Sequence, residues 1–232
     1  MISKKIIIAN WKMNGNLTLL NEFHNKLIHI TEDIEFILAL PSIMIKDGQE
    51  LFKNKNNINI GAQNFHHEAS GAYTGNISTA MLREYNCKYS IIGHCESRLQ
   101  NNESNENILA KINLALANEI TPIVCVGEKE LGNYDEFMEQ CKILLPYSKE
   151  IVIAYEPVYA IGTGYVPDYE SIERGISIIH RFNRKSSIIY GGSVNIDNAN
   201  SIIEDHRFID GLLIGGASLK VDILNQILDD IE

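Results

Sequence analysis

The sequence predicts an α/β fold, a closed parallel barrel of eight strands ringed by helices. Three observations carry that expectation. Short apolar runs recur eight times along the 232 residues, roughly 29 residues apart, the spacing of βαβ units. The runs are rich in Ile and Val and nearly continuous rather than alternating, as strands covered on both faces are. Between them lie stretches whose apolar residues recur at helical spacing. An open, doubly wound sheet would also hold eight such strands and is the alternative at this level.

The elements follow in order. The first run, 5–9, finishes in Asn10-Trp11-Lys12 and leads to an amphipathic helix over 17–30. The second, 36–40, precedes Ser42, which reads as a helix cap. The third is Ile58–Ala62, and the fourth, Tyr89–Ile92, finishes in Gly93-His94-Cys95-Glu96. In the helical stretch 108–116, Ile108, Leu109, Ile112, Ala115 and Leu116 share one face, with Lys111 and Asn113 off it. The fifth run is 122–126. The sixth, 151–155, ends in Glu156-Pro157. Residues 157–164 then combine Pro-Val at one side, Gly-Thr-Gly at the other and apolar Val158, Tyr159 and Ile161, which suits a hinged lid that excludes water. Ile172, Ile176, Ile179 and His180 mark the next helix after Asp168. The last two runs, Ser187–Tyr190 and Gly211–Ile214, finish in Gly191-Gly192-Ser193 and Gly215-Gly216-Ala217-Ser218. Each Gly-Gly turn is expected to open a helix whose free N–H groups cradle a phosphate. Helix Val221–Ile231 closes the chain, with Asp222 read as its cap.

Composition narrows the class of function. Hydrophobic residues make up 45% and charged residues 22%, with five prolines, so the chain is neither disordered nor fibrous. The net charge of −10 has the wrong sign for a general binder of nucleic acid or anionic membrane. No apolar run approaches the ~18 residues of a membrane span. The opening Met1-Ile2-Ser3-Lys4-Lys5 and the apolar residues up to Asn10 are too short for an export signal, so a cytoplasmic protein is expected. Cys87, Cys95, Cys125 and Cys141 fit neither a zinc knuckle nor a Cys-x-x-Cys pair and read as free thiols. His66-His67 is the one adjacent pair among seven histidines, and sequence neighbours rarely converge on one ion, so no metal site is expected.

In parallel α/β folds chemistry gathers at the C-terminal ends of the strands. A closed barrel would bring Lys12, His94 and Glu156 to one mouth, beside two anion-binding turns. Taken singly, these could be a solvated lysine, a structural histidine, a surface glutamate and tight turns. Together they supply a cation, an imidazole and a base.

Six motifs now identify the pattern: Asn10-Trp11-Lys12-Met13-Asn14-Gly15, Ile92-Gly93-His94, Ala154-Tyr155-Glu156-Pro157, Ala160-Ile161-Gly162-Thr163-Gly164, Tyr190-Gly191-Gly192-Ser193-Val194, and the segment from Asp210 to Leu219. In that order, over essentially the whole chain, they resemble the triosephosphate isomerases. The resemblance implies a single (β/α)8 TIM barrel over residues 1–232. It implies interconversion of dihydroxyacetone phosphate and D-glyceraldehyde 3-phosphate through an enediolate, a step of glycolysis and gluconeogenesis. Carried over by position, Glu156 is the base and His94 a neutral imidazole acting as electrophile, kept neutral by the helix starting at Cys95. Lys12 offsets substrate charge and Asn10 orients the oxygens. Gly162, Ser193, Gly215 and Gly216 donate backbone N–H groups to the phosphate.

The resemblance further implies a homodimer in which the loop from Gln63 to Ser78 carries Thr74 toward the partner's active site. Some positions depart from the family. Cys95 stands in place of the usual serine and, at a helix start, is expected to react with thiol reagents. Tyr159 replaces a tryptophan, Tyr165 a lysine, and the segment 128–149 is short. Asn76 and Ser97 replace an ion pair across the interface, where a neutral hydrogen bond could serve.

Three rival functions are weaker. A Schiff-base aldolase needs a lysine ending a central strand, and the fourth to seventh runs have none. A cysteine hydrolase would pair Cys95 with His94, which as neighbours are expected to point apart. A barrel kept only for binding would not retain Asn10, Lys12, His94 and Glu156 together.

Overall fold

The computed structural model describes residues 4–231; Met1, Ile2 and Ser3, part of the stretch read as too short for an export signal, lie outside the described residues. Eight parallel strands close into a barrel in chain order: β1 (Lys5–Asn10), β2 (Ile34–Leu40), β3 (Ile58–Ala62), β4 (Tyr89–Ile92), β5 (Thr121–Val126), β6 (Val152–Tyr155), β7 (Ser187–Tyr190) and β8 (Gly211–Ile214). The eighth strand pairs back onto the first, Ile6 opposite Gly211 and Ala9 opposite Ile214, which excludes the open sheet. Glycine is required at that seam, because a Cβ on Gly211 would stand 1.8 Å from the Ile6 carbonyl oxygen.

Strand periodicity splits the apolar runs into two cores. Ile6, Ile8, Ile37, Ala39, Ile91, Ile123, Cys125, Val152, Ala154, Ile189 and Leu213 fill the barrel interior. Their neighbours one residue away, such as Ile7, Phe36, Leu38, Val124, Ile153, Tyr155 and Leu212, face the helices in a second cluster. Both faces are dry, which is why the runs are continuous. Each buried aliphatic side chain contributes roughly 1.5–3 kcal/mol through removal from water.

The outer ring consists of α1 (Leu17–Lys26), α2 (Ile45–Phe52), α3 (Thr79–Glu84), α4 (Cys95–Gln100), α5 (Asn105–Ala117), α6 (Asp135–Lys142), α7 (Tyr169–Phe182), α8 (Ala199–Asp205) and α9 (Val221–Ile231). None among the described residues is long and apolar enough to cross a membrane. Side chains of Asn16, Ser78, His94, Ser104 and Asp168 cap the starts of α1, α3, α4, α5 and α7 by accepting backbone N–H groups. Ser42 and Asp222 do not. Ser42 already lies inside the single 3₁₀ turn Ser42–Met44, and Asp222 inside the first turn of α9, where it can only complement the helix dipole.

Two other expectations change. The first helix ends at Lys26 rather than residue 30, because Asn225 of α9 donates to the Lys26 carbonyl (2.8 Å) and accepts from the Ile28 N–H (3.1 Å). Lys111, expected off the buried face of α5, is 2% exposed. Its ammonium pairs with Glu103 and donates to Asn64 Oδ1 at 2.8 Å, so the charge is matched where it is buried.

Candidate active site

The strand period also builds the floor of the mouth. Two residues beyond Ile8 the inward position is Asn10; beyond Ala154 it is Glu156; beyond Ile189, Gly191; beyond Leu213, Gly215. Asn10, Lys12, His94, Glu156, Gly162, Ser193, Gly215 and Gly216 all line one cavity of about 310 Å³. The fold thus brings together, around one cavity, the eight residues expected from the sequence.

On the floor, Asn10 is 5% exposed and its Oδ1 accepts the Lys12 backbone N–H at 3.0 Å. That bond helps hold Lys12 in a left-handed conformation, φ +52°, that few lysines adopt. The Lys12 ammonium reaches Glu96 Oε1 at 2.7 Å. The Arg98 guanidinium ties the end of β4 to β5, donating to the Gly93 carbonyl at 2.8 Å and the Cys125 carbonyl at 3.1 Å. Glu96 and Arg98 were not singled out from sequence; both lie within four residues of His94 on α4, the only signal that could have pointed to them.

His94 is the residue before α4, and its Nδ1 accepts the Glu96 N–H at 3.3 Å. An accepting Nδ1 leaves the proton of a neutral ring on Nε2, pointing at the cavity. Nε2 lies 3.3 Å from Glu156 Oε1. Glu156 is 2% exposed; its Oε2 accepts the Cys95 N–H at 3.3 Å, while Oε1 has no hydrogen-bond partner. Behind it, a Cβ on Gly127 would stand 1.9 Å from the Glu156 carbonyl oxygen, so glycine there lets β5 and β6 close together.

Two expectations about Cys95 fail. Its Sγ does not point away from His94 but lies 3.9 Å from Nδ1. It is nonetheless no nucleophile, and no ready target for thiol reagents: burial, with the Glu156 carboxylate beside it, pushes the thiol up to about 12. The start of a six-residue helix does not outweigh those two effects.

The rim is made of loops. Val158–Ala160 form a 3₁₀ turn, followed by Gly162 and Gly164 at φ +72° and +77°. Ser193 Oγ donates to the Ala160 carbonyl at 2.6 Å, linking the lid to the turn after β7. That turn does not open a helix: α8 begins at Ala199, six residues past Ser193, so its donors act as loop amides. The turn after β8 does run into a 3₁₀ helix, Gly216–Leu219. Beneath the lid hinge, Glu128 is 1% exposed and accepts the Tyr155 hydroxyl at 2.9 Å. Burial raises its carboxyl above the ordinary range. The Val158 N–H donates to the Glu128 carbonyl at 2.9 Å, joining hinge to strand end.

Comparison with known proteins agrees with this geometry. The family model described as triosephosphate isomerase matches residues 5–231. Triosephosphate isomerase of Wolbachia sp. subsp. Brugia malayi (strain TRS) is 40% identical over 237 residues, covering 98% of this chain and 97% of its own. Those of Wolbachia pipientis wMel and Ehrlichia chaffeensis (strain ATCC CRL-10679 / Arkansas) are 38% and 36% identical, over 98% and 96% of this chain and 94% and 95% of theirs. The chain thus belongs to the triosephosphate isomerase family, enzymes that interconvert dihydroxyacetone phosphate and D-glyceraldehyde 3-phosphate.

Proposed function

We propose that Glu156 is the base that moves the proton between the two substrate carbons and that His94 is the acid that serves the two oxygens. One observation carries this reading: a buried carboxylate with a free oxygen stands 3.3 Å from an imidazole Nε2, at the floor of a cavity that also holds Lys12. The proton removed is α to a carbonyl and weakly acidic, so charge on the oxygens must be met as it develops. His94 Nε2–H and the Lys12 ammonium do that, with Asn10 orienting the oxygens. A neutral imidazole suits the task because its acidity is close to that of the enediol. A carboxylate stripped of water gains strength as a base.

The phosphate takes no part in bond changes. The backbone N–H groups of Gly162, Ser193, Gly215 and Gly216 hold it, and its binding energy closes the lid over the enediolate, which otherwise eliminates phosphate. No metal or cofactor enters the scheme. The same reading takes residues 1–232 as one cytoplasmic domain acting on a small phosphorylated triose, away from nucleic acid and membranes.

The dimer belongs to this proposal. Residues 68–76, Thr74 among them, are exposed throughout, and Met13, next to Lys12, is 97% exposed. A protruding loop and an apolar side chain beside the mouth suit reciprocal docking of two copies. The test of the catalytic roles is conversion of D-glyceraldehyde 3-phosphate by the wild type and by Glu156→Gln, followed by NMR. Loss of turnover with little change in KM is expected; wild-type turnover in the variant would remove Glu156 from its role.

A further inference from the structure

The mouth also carries the donor set of a transition-metal site. His94, Cys95 and Glu156 are all buried, and one ligand atom from each lies within 4.8 Å of the other two. Cys95 follows His94 directly, but Glu156 is 61 residues away from it, so the fold assembles a set that histidine and cysteine spacing did not reveal. A tetrahedral zinc ion with bonds of about 2.0–2.3 Å needs its donors roughly 3.3–3.6 Å apart. The imidazole–carboxylate edge, 3.3 Å between Nε2 and Oε1, already has that length. The Cys95 thiol lies 3.9 Å from the other ring nitrogen, Nδ1, and within 4.8 Å of a carboxylate oxygen, so it must move in by on the order of 1 Å to share an ion held on Nε2 and Oε1. A second observation points the same way: Glu156 Oε1, on a side chain 2% exposed, is aimed into the cavity without a hydrogen-bond partner.

We propose that His94, Cys95 and Glu156 form an inhibitory site for a borderline-soft divalent ion of the zinc class, a site this chain gains by carrying Cys95. Nitrogen, sulfur and carboxylate oxygen are the ligands such an ion selects, and three of them leave one position for water. The serine usual at this place in the family offers no comparable ligand. Coordination balances with one proton released, from the Cys95 thiol. The ring stays neutral, its proton moving from Nε2 to Nδ1, which gives up the Glu96 N–H it accepts and turns toward Glu96 Oε2, now 3.7 Å away. Occupancy removes the Nε2 proton and the free carboxylate oxygen together. The site rests on donor geometry alone; its inhibitory consequence rests on the roles proposed for Glu156 and His94.

The test uses the metal-stripped full chain in phosphate-free buffer. Zn²⁺ binding is followed by calorimetry, and isomerisation is read directly by NMR so that no coupling enzyme meets the ion. Cd²⁺ reports sulfur ligation through its ultraviolet charge-transfer band. One Zn²⁺ per chain is expected, with activity falling below a tenth, restored by EDTA and untouched by Mg²⁺. Cys95→Ser should weaken Zn²⁺ binding and inhibition at least tenfold and abolish the cadmium band. Cys95→Ala serves as a second variant, with folding checked by circular dichroism. Unchanged Zn²⁺ affinity in both variants, or a cadmium band that survives through Cys87, Cys125 or Cys141, overturns the site. Binding that depends on Cys95 but leaves the loaded enzyme fully active overturns the inhibitory claim and counts against the roles of Glu156 and His94, while the site stands.

Discussion

The floor and the rim of the mouth are built by different means. On the floor, Asn10, His94 and Glu156 are each at most 7% exposed and sit at or next to strand ends whose sheet hydrogen bonds fix them. On the rim, Gly162 and Gly164 have positive φ, Gly216 is exposed, and the lid is linked to its surroundings by contacts such as the one from Ser193. The reaction needs a carboxylate and an imidazole held to within fractions of an ångström. Phosphate binding needs amides that can gather round a dianion and let it go. In the proposed reading the barrel supplies the first from its strands and the second from its loops.

Altering the floor should give the largest effect. Glu156→Asp retracts the carboxylate by about 1 Å, a misplacement that can cost roughly 100-fold in kcat. KM should move little, because the phosphate contacts proposed for the rim are untouched. A large rise in KM at unchanged kcat would show that floor and rim are not separable in this way.

Altering the rim should give the opposite signature. Deleting 161–163 removes the Gly162 amide proposed to hold the phosphate, and a hydrogen bond to a charged group is worth about 1.5–3 kcal/mol. Phosphate-bearing inhibitors should bind roughly tenfold more weakly or worse. Methylglyoxal, formed from eliminated phosphate, should rise as a share of product while the fold persists. An unchanged product ratio would mean that the lid does not protect the enediolate.

Legibility from sequence follows the same division. Strands β3, β4, β7 and β8 have the bounds the sequence predicts, because a short apolar run between polar or turn residues is a local signal. The inward positions Asn10 and Glu156 follow from strand parity once the barrel closes. The Gly191-Gly192-Ser193 turn carries a local signal for an anion cradle, whereas the phosphate role proposed for Gly162 comes only with the family resemblance, since Gly-Thr-Gly reads locally as a hinge. Features set by distant partners were invisible. The end of α1 depends on Asn225, the burial of Lys111 on Glu103 and Asn64, and the pairing of Lys12 on Glu96. Cys95 was misjudged for that reason: its helix start is local, whereas Glu156, which opposes a thiolate, arrives from β6.

The dimer sharpens the comparison from outside the chain. If Thr74 of the partner subunit braces Asn10 and His94, dilution should reduce kcat several-fold before KM changes, because it is the floor that loses support. With Asn76 and Ser97 neutral, dissociation should depend weakly on salt. Sedimentation velocity beside activity on dilution measures both. A fully active monomer at micromolar concentration would set aside the dimer and the role of Thr74 together.

The smallest effect is expected at Glu128, the second buried glutamate near the mouth. It and Glu156 are equally hidden, at 1% and 2% exposure, but Glu156 faces the cavity and Glu128 lies under the lid hinge. Burial raises the Glu128 carboxyl; a bond from its own backbone N–H and one from the Tyr155 hydroxyl pull the other way and lose. For a carboxyl raised in the folded state, the linked stability is whole below the ordinary carboxylate range. It is lost as pH climbs through the raised value. Glu128→Gln keeps an acceptor for Tyr155 and removes only the titration. Its Tm should match the wild type near about pH 4 and exceed it by on the order of 2 °C near about pH 8. Because Glu128 does not line the cavity, kcat/KM should stay within about twofold, well under the ~1.4 kcal/mol of a tenfold change. A Tm advantage that shrinks as pH rises would reverse the sign of the argument. A tenfold loss of kcat/KM would show instead that the charge under the hinge helps to set the lid, and that the rim is less independent of the strands beneath it than its loops suggest.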